Sequence, residues 1–226
     1  MSNTDSFIDE VTEEVRRDRL FGYLRRYGWI AVLFILVIVG GAAFNEYRKA
    51  QEEAKAQALG DAMLAALSND DPSARATALA EVSAETPESM AVLALLQAGA
   101  FADAGDTDAA IAALGRVETA ADAPLIYRQI ATFRSLLLQT GTLDAEARRA
   151  GFEALAVPGV SFRLLAEEQL ALIDIETGNV DAALARLRPM LDDAEASAGL
   201  QRRALQAIVA LGGTLDDESA DDAAEN

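Results

Sequence analysis

The pattern of hydrophobic and polar positions divides the chain into an apolar stretch near its N-terminus and a long region of helical periodicity. Residues Tyr27 to Asn45 carry no charge over nineteen positions. As an α-helix this stretch is about 28 Å long, close to the roughly 30 Å thickness of the hydrocarbon core of a bilayer. The pattern therefore predicts one membrane-spanning helix.

Beyond this stretch a short signature recurs, in which a glycine is followed three residues later by an aspartate. The copies begin 36 and 37 residues apart, close to the period of about 34 that is typical of tetratricopeptide repeats. Glycine adopts the left-handed conformation that ends a first helix, and aspartate can cap the second. The predicted turn and cap residues are Gly105, Asp108, Gly141, Asp144, Gly178 and Asp181.

These patterns predict an all-α protein: a single N-terminal transmembrane helix followed by a tetratricopeptide-like solenoid of helical hairpins. We expect four segments along the chain. They are a cytoplasmic amphipathic helix (1–26), the transmembrane helix (27–45), a tetratricopeptide-like domain of about four hairpins with a capping helix (46–213), and a disordered acidic tail (214–226).

The hairpins depart from the tetratricopeptide consensus at particular positions. In the second hairpin Ala98 and Phe101 occupy the usual small and aromatic positions of the first helix. In the third, Arg134 and Glu146 stand where small residues are usual, and in the fourth Asp174 stands where an aromatic is usual. The array is therefore a divergent one.

Charge around the apolar stretch predicts its orientation. Arginines crowd its upstream side, whereas the bases that follow it are mixed with acids. The positive-inside rule therefore places the N-terminus in the cytoplasm and the repeats across the inner membrane, in the periplasm.

A cleaved signal peptide is the alternative, because Gly41, Ala42 and Ala43 are small residues of the kind that signal peptidases accept. The long acidic n-region and the length of the apolar run favour an uncleaved anchor. A buried core helix is disfavoured by the complete lack of charge.

Composition argues against several classes of function. The net charge is −18, of which −17 lies beyond Tyr27, and this balance argues against binding to nucleic acid. The chain has no histidine and no cysteine, so it lacks an imidazole base, a thiolate and the usual ligands of zinc or haem. We therefore expect no enzymatic activity, no catalytic residues, no metal and no cofactor.

The remaining expectation is protein binding in the groove that is formed by the first helices of the hairpins. By register, the candidate groove residues are Val92, Leu95, Arg128, Leu138, Leu165, Glu168 and Leu172. A mixed apolar surface of this kind suits extended or helical segments of a client protein. The alternative is that Leu95, Leu138 and Leu172 belong to the ordinary core between helices.

The whole arrangement resembles the YfgM-type family of ancillary subunits of the bacterial SecYEG translocon. The opening Phe7-Ile8-Asp9-Glu10-Val11 and the segment Arg25-Arg26-Tyr27-Gly28-Trp29 are similar to the alphaproteobacterial branch of that family. The resemblance implies a protein that sits beside the translocon, works with a membrane-anchored prolyl-isomerase-like chaperone and passes unfolded clients to periplasmic chaperones. It implies no site residues, since no short motif defines the family.

Two functions are therefore expected from the sequence. The first is a membrane-anchored scaffold that acts as an ancillary translocon subunit or periplasmic chaperone, with translocon subunits, chaperones and unfolded clients as partners. The second is a cell-envelope scaffold that coordinates division or wall-synthesis complexes. A chaperone would bind many unrelated unfolded proteins, whereas a scaffold would bind one folded partner.

Overall fold

The computed structural model describes the backbone of residues 3–214 and the side chains of residues 25–30 and 32–214. The predicted acidic tail from residue 215 onward and the side chains of the predicted amphipathic helix before Arg25 lie outside the described residues. The described chain consists of helices and their connecting turns, which confirms the predicted all-α class. The helices are α1 (Asn3–Leu67), α2 (Pro72–Glu81), α3 (Pro87–Asp103), α4 (Thr107–Glu118), α5 (Leu125–Leu138), α6 (Ala145–Glu153), α7 (Arg163–Glu176), α8 (Val180–Leu187), α9 (Pro189–Asp192) and α10 (Ala198–Ala210).

The chain divides into two compact units, residues 1–60 and residues 61–226. Within the first unit, α1 passes through the apolar stretch without a break, and the described side chains there are largely exposed: Leu36 and Val37 are 64% and 65% accessible. The segment Arg25–Leu67 contains the one helix in the described part of the chain that is long and apolar enough to cross a membrane. A signal sequence meets the same criteria of length and composition.

The second unit is a stack of helical hairpins. Ala66 at the end of α1 shares a buried cluster with Ala76 and Leu79 of α2. Further along the chain α3 packs against α4, α5 against α6 and α7 against α8, while α8, α9 and α10 contact one another at the end of the stack. Small and aliphatic side chains fill the contacts, and Ala98, Ala110, Ala166 and Ala183 are fully buried because alanine lets neighbouring helices approach closely. The predicted solenoid of hairpins is confirmed.

Two of the three predicted glycine turns have the expected geometry. Gly105 and Gly178 both have φ 79°, and each lies one residue beyond the C-cap of a first helix. At the first turn the Gly105 N–H donates to the Ala102 carbonyl (3.0 Å), and the Asp106 N–H donates to the Phe101 carbonyl (2.9 Å). This is the Schellman pattern, which satisfies carbonyls at the end of the helix.

The predicted caps after these two glycines are wrong, since Asp108 and Asp181 lie inside the first turns of α4 and α8. The N-cap residues are Asp106 and Asn179, each directly after its glycine. The Asp106 carboxylate accepts from the Ala109 N–H (3.0 Å), whereas the Asn179 side chain makes no capping hydrogen bond. The Schellman turn reverses the chain so tightly that its last residue already starts the next helix.

The turn at Gly141 differs, and the predicted left-handed glycine is wrong there. Gly141 is not among the glycines with positive φ, and the chain takes five residues, 140–144, to pass from the C-cap Gln139 of α5 to α6. The N–H groups of Thr142 and Leu143 both donate to the Gln139 carbonyl, at 3.0 and 2.9 Å. Because this turn is longer, Asp144 reaches the N-cap of α6 and accepts from the Ala147 N–H (2.7 Å).

This difference gives a matched test of three glycines that look alike in the sequence. We expect Gly105→Ala and Gly178→Ala each to lower the free energy of unfolding by about 1–2 kcal/mol, because alanine is strained at positive φ. Gly141→Ala should be neutral or stabilising by about 0.5 kcal/mol. A Cβ at any of the three meets no atom within 4 Å, so only backbone strain separates them. Urea unfolding would measure this, and equal losses at all three sites would contradict it.

Candidate functional site

The candidate groove residues lie on α3, α5 and α7, the first helices of three successive hairpins. The structure separates them into core and surface. Leu95 and Leu138 are half-buried and pack against the cluster that contains Ala91, Ala94 and Leu114. These two leucines therefore contribute to the packing between helices, as the alternative interpretation held.

Leu165 also packs against a buried cluster, formed by residues such as Phe133, Phe152 and Leu170. It lines a cavity of about 410 Å³ together with Val160, the Arg163 side chain and Glu195. Arg163 bonds both Asp193 and Glu195 at 2.7 Å, and this pairing holds the pKa of Asp193 below its ordinary value. The arginine at this cavity is therefore already paired within the chain, with two carboxylates.

Leu172 is different, because it remains on the surface. Its exposed fraction is 48%, and it belongs to no buried cluster in the described part of the chain. On α5 the Arg128 side chain is half-buried, and its buried Nε has no hydrogen-bond partner. Val92 on α3 is half-buried as well. Leu172 is thus the candidate groove residue with the most exposed apolar surface.

Glu168 is already engaged by the chain itself. Its two carboxylate oxygens accept from Nε and Nη2 of Arg203, at 2.6 and 2.7 Å. This bidentate pair joins α7 to α10 and raises the pKa of Arg203 above its ordinary value. A partner would have to displace Arg203 to use Glu168, so we regard Glu168 as a contact between helices.

Arg134 shows how the array tolerates a large residue at a small position. Its Nη1 donates to the Leu95 carbonyl (3.2 Å), which lies on the preceding first helix. The guanidinium lies against Gly99, where a Cβ would be in ordinary contact, 3.4 Å from Arg134 Nη2. The pair thus couples α3 to α5.

Asp174 is the centre of a buried ion-pair network that the sequence did not predict. Its side chain is 3% exposed and accepts from Arg149 at 2.7 Å and from Arg186 at 2.9 Å. Arg186 also bonds Glu167 at 2.9 Å. Burial lowers the pKa of Arg186, but its bonds to Glu167 and Asp174 outweigh burial and raise it overall. Two arginines from second helices thus replace the packing of the usual aromatic.

Two further ion pairs occupy corresponding positions two repeats apart. Arg75 on α2 bonds Asp103 at 3.2 Å, and Arg148 on α6 bonds Glu176 at 2.6 Å. Each joins the second helix of one hairpin to the end of the next first helix, two residues before a left-handed glycine. These pairs are structural, since each links successive hairpins.

The described residues contain no group of three or more acidic side chains arranged to hold a metal ion. What the structure presents instead is a stack of helical hairpins whose charged side chains mostly bond one another, with isolated apolar and basic groups left on its surface.

Comparison with known proteins agrees with this arrangement. No curated protein and no solved structure matches the chain. A family model described as a tetratricopeptide repeat-like domain matches residues 22–156. Because this match covers more than half of the sequence, the chain belongs to the tetratricopeptide repeat-like domain family.

Proposed function

We propose that this protein is a membrane-anchored, non-enzymatic scaffold that binds other proteins through its helical repeats. Domains of this family are typically protein-interaction modules. The observation that carries the proposal is the continuity of α1, which contains an exposed apolar stretch of membrane-spanning length and also supplies Met63 and Ala66 to the first cluster of the repeats. One helix therefore joins the anchor to the binding module.

The sequence supports an uncleaved anchor over a signal peptide, because the segment before the apolar run is long and acidic and the run itself is longer than that of a usual signal peptide. We propose that residues 27–45 span the inner membrane, that residues 1–26 stay in the cytoplasm, and that the repeats of 46–213 lie in the periplasm. The arginines upstream of the span support this orientation through the positive-inside rule.

The resemblance to the YfgM-type family supports a position beside the SecYEG translocon, where the protein would assist emerging periplasmic chains together with membrane-anchored and periplasmic chaperones. The test is in-cell crosslinking followed by purification of the full-length protein in mild detergent and identification of its partners. Translocon subunits and periplasmic chaperones in near-stoichiometric amounts are the expected result. A division or wall-synthesis complex without translocon subunits would instead favour the cell-envelope scaffold.

If the first helices bind the partner, a substitution of the exposed Leu172 should weaken that binding. Replacing an exposed apolar contact with a charge removes buried area on binding, so we expect Leu172→Asp to reduce recovery of the crosslinked partner about tenfold, equivalent to about 1.4 kcal/mol. The melting temperature should not change, because the side chain is already 48% exposed.

The matched control is Val157→Asp, since Val157 is 46% exposed and lies in the turn between α6 and α7. It should leave partner recovery unchanged. Equal effects of the two substitutions would show that the first helices have no special part in binding.

A further inference from the structure

A cavity of about 320 Å³ lies between α2, α3 and α4, and none of the candidate groove residues lines it. Seven apolar residues and two polar ones line it. The apolar residues are Ala80, Val82, Ala84, Met90, Leu93, Ala94 and Phe101, and the polar ones are Gln97 and Arg116. Met90 is 55% exposed, so part of this apolar wall faces solvent. The volume suits one or two side chains of a bound segment.

Gln97 holds Arg116 in place at this cavity. The amide is 8% exposed; its Nε2 donates to the Leu79 carbonyl (2.9 Å), and its Oε1 accepts from Arg116 Nη2 (2.6 Å). A buried amide needs partners for both its donor and its acceptor, and these two bonds supply them. The guanidinium is therefore positioned by a buried side chain that is itself anchored to the backbone of α2.

Arg116 bonds no carboxylate in the described part of the chain, although the repeats are strongly acidic. Seven other arginines each bond at least one carboxylate: Arg48, Arg75, Arg148, Arg149, Arg163, Arg186 and Arg203. The bond to Gln97 uses one of the five N–H donors of a guanidinium. The cavity thus combines an apolar wall with an oriented cation that lacks a counter-charge.

We propose that this cavity binds an extended acidic segment of a partner protein, with an apolar side chain against Met90 and Phe101 and a neighbouring carboxylate on Arg116. Charge complementarity selects this occupant, since a carboxylate supplies the acceptors that Arg116 lacks and an apolar neighbour covers the wall. The inference rests on the proposed protein-binding function and adds to it the chemistry of the recognised segment.

The test uses full-length protein in detergent micelles and two fluorescein-labelled peptides. One has Leu-Phe-Asp at its centre, and the other has Leu-Phe-Asn at the same place. Binding is measured by fluorescence anisotropy at physiological salt. The Debye length is then about 8 Å, so the general repulsion between an acidic peptide and an acidic protein is screened. We expect the aspartate peptide to bind at least tenfold more tightly. Equal affinities, or no binding up to about 1 mM, would overturn the proposal.

Three variants localise the binding. Arg116→Gln should weaken the aspartate peptide about tenfold and leave the asparagine peptide unchanged, while Met90→Asp should weaken both. Arg202→Gln is the control, because Arg202 is an exposed arginine on α10 and the substitution changes the net charge equally. A matching loss in Arg202→Gln would assign the effect to overall charge and overturn the proposal. The melting temperature of each variant distinguishes lost binding from lost folding.

The acidic C-terminal segment of this chain is the other possible occupant. Removing residues 215–226 should leave the affinity for the aspartate peptide unchanged. A tenfold gain would identify that segment as the natural occupant and overturn an external partner. If Arg116→Gln leaves recovery of the crosslinked partner intact while the peptides do not bind, the cavity proposal fails and the scaffold function stands.

Discussion

Replacing Asp174 with alanine should lower the free energy of unfolding by about 3–5 kcal/mol. The Asp174 side chain is 3% exposed, and it is the carboxylate that Arg149 and Arg186 share, at 2.7 and 2.9 Å. Those arginines are themselves only 19% and 29% exposed, so removal of Asp174 leaves Arg149 without a carboxylate and Arg186 with Glu167 alone. Repulsion and uncompensated desolvation both act in the same direction.

Asp103→Ala is the matched control, because Asp103 also joins successive hairpins through an arginine but is 61% exposed. We expect it to cost at most about 1 kcal/mol. Asp174→Phe restores the consensus aromatic but leaves Arg149 without a carboxylate and Arg186 with Glu167 alone, so it should be about as destabilising as Asp174→Ala. Urea unfolding of the three variants decides the matter; equal losses for Asp174→Ala and Asp103→Ala would contradict a buried network.

Substituting arginine for Leu33 and Leu36 together should remove the protein from the membrane fraction. An arginine near the middle of a membrane-spanning helix costs about 2.5–3.5 kcal/mol on the insertion scale, so the pair costs roughly 5–7 kcal/mol. The two leucines lie inside the uncharged stretch and are exposed in the helix. Alkaline carbonate extraction of cell membranes measures the effect.

Leu64→Arg provides the control, since Leu64 is 66% exposed on the same helix but lies outside the apolar stretch. It should leave the protein in the membrane fraction. Mass spectrometry of the extracted wild type tests the anchor directly: a chain that begins after Ala43 would show that the apolar stretch is a cleaved signal peptide.

The repeat period allowed the hairpins to be predicted, because a glycine lies in the turn of three of them. The turns themselves were less predictable. Gly105, Gly141 and Gly178 have the same local signature, but only the first and last adopt positive φ. Whether a turn closes in the Schellman form depends on how the next helix must pack, and that information is spread over distant residues. The cap positions shift with it, to Asp106 and Asn179.

The candidate groove was predicted from helical register. Register shows which side of a helix a residue occupies, but it does not show whether another helix packs over that side. Leu95, Leu138 and Leu172 occupy similar faces, and neighbouring helices cover the first two while Leu172 stays exposed. Asp174 was recognisable as a departure from the consensus. Its partners Arg149 and Arg186 were not, because they come from the second helices of two different hairpins.

Gly99 and Arg134 have a consequence for the engineering of this array. Repeat proteins are often treated as interchangeable modules, but here Arg134 on α5 lies against Gly99 and donates to the Leu95 carbonyl, both on α3. A chimera with a residue larger than alanine at the position of Gly99 would push the end of the Arg134 side chain away from that carbonyl. One that replaces only the following hairpin would lose the hydrogen bond altogether. Exchanging the second and third hairpins together, as one cassette, keeps this contact.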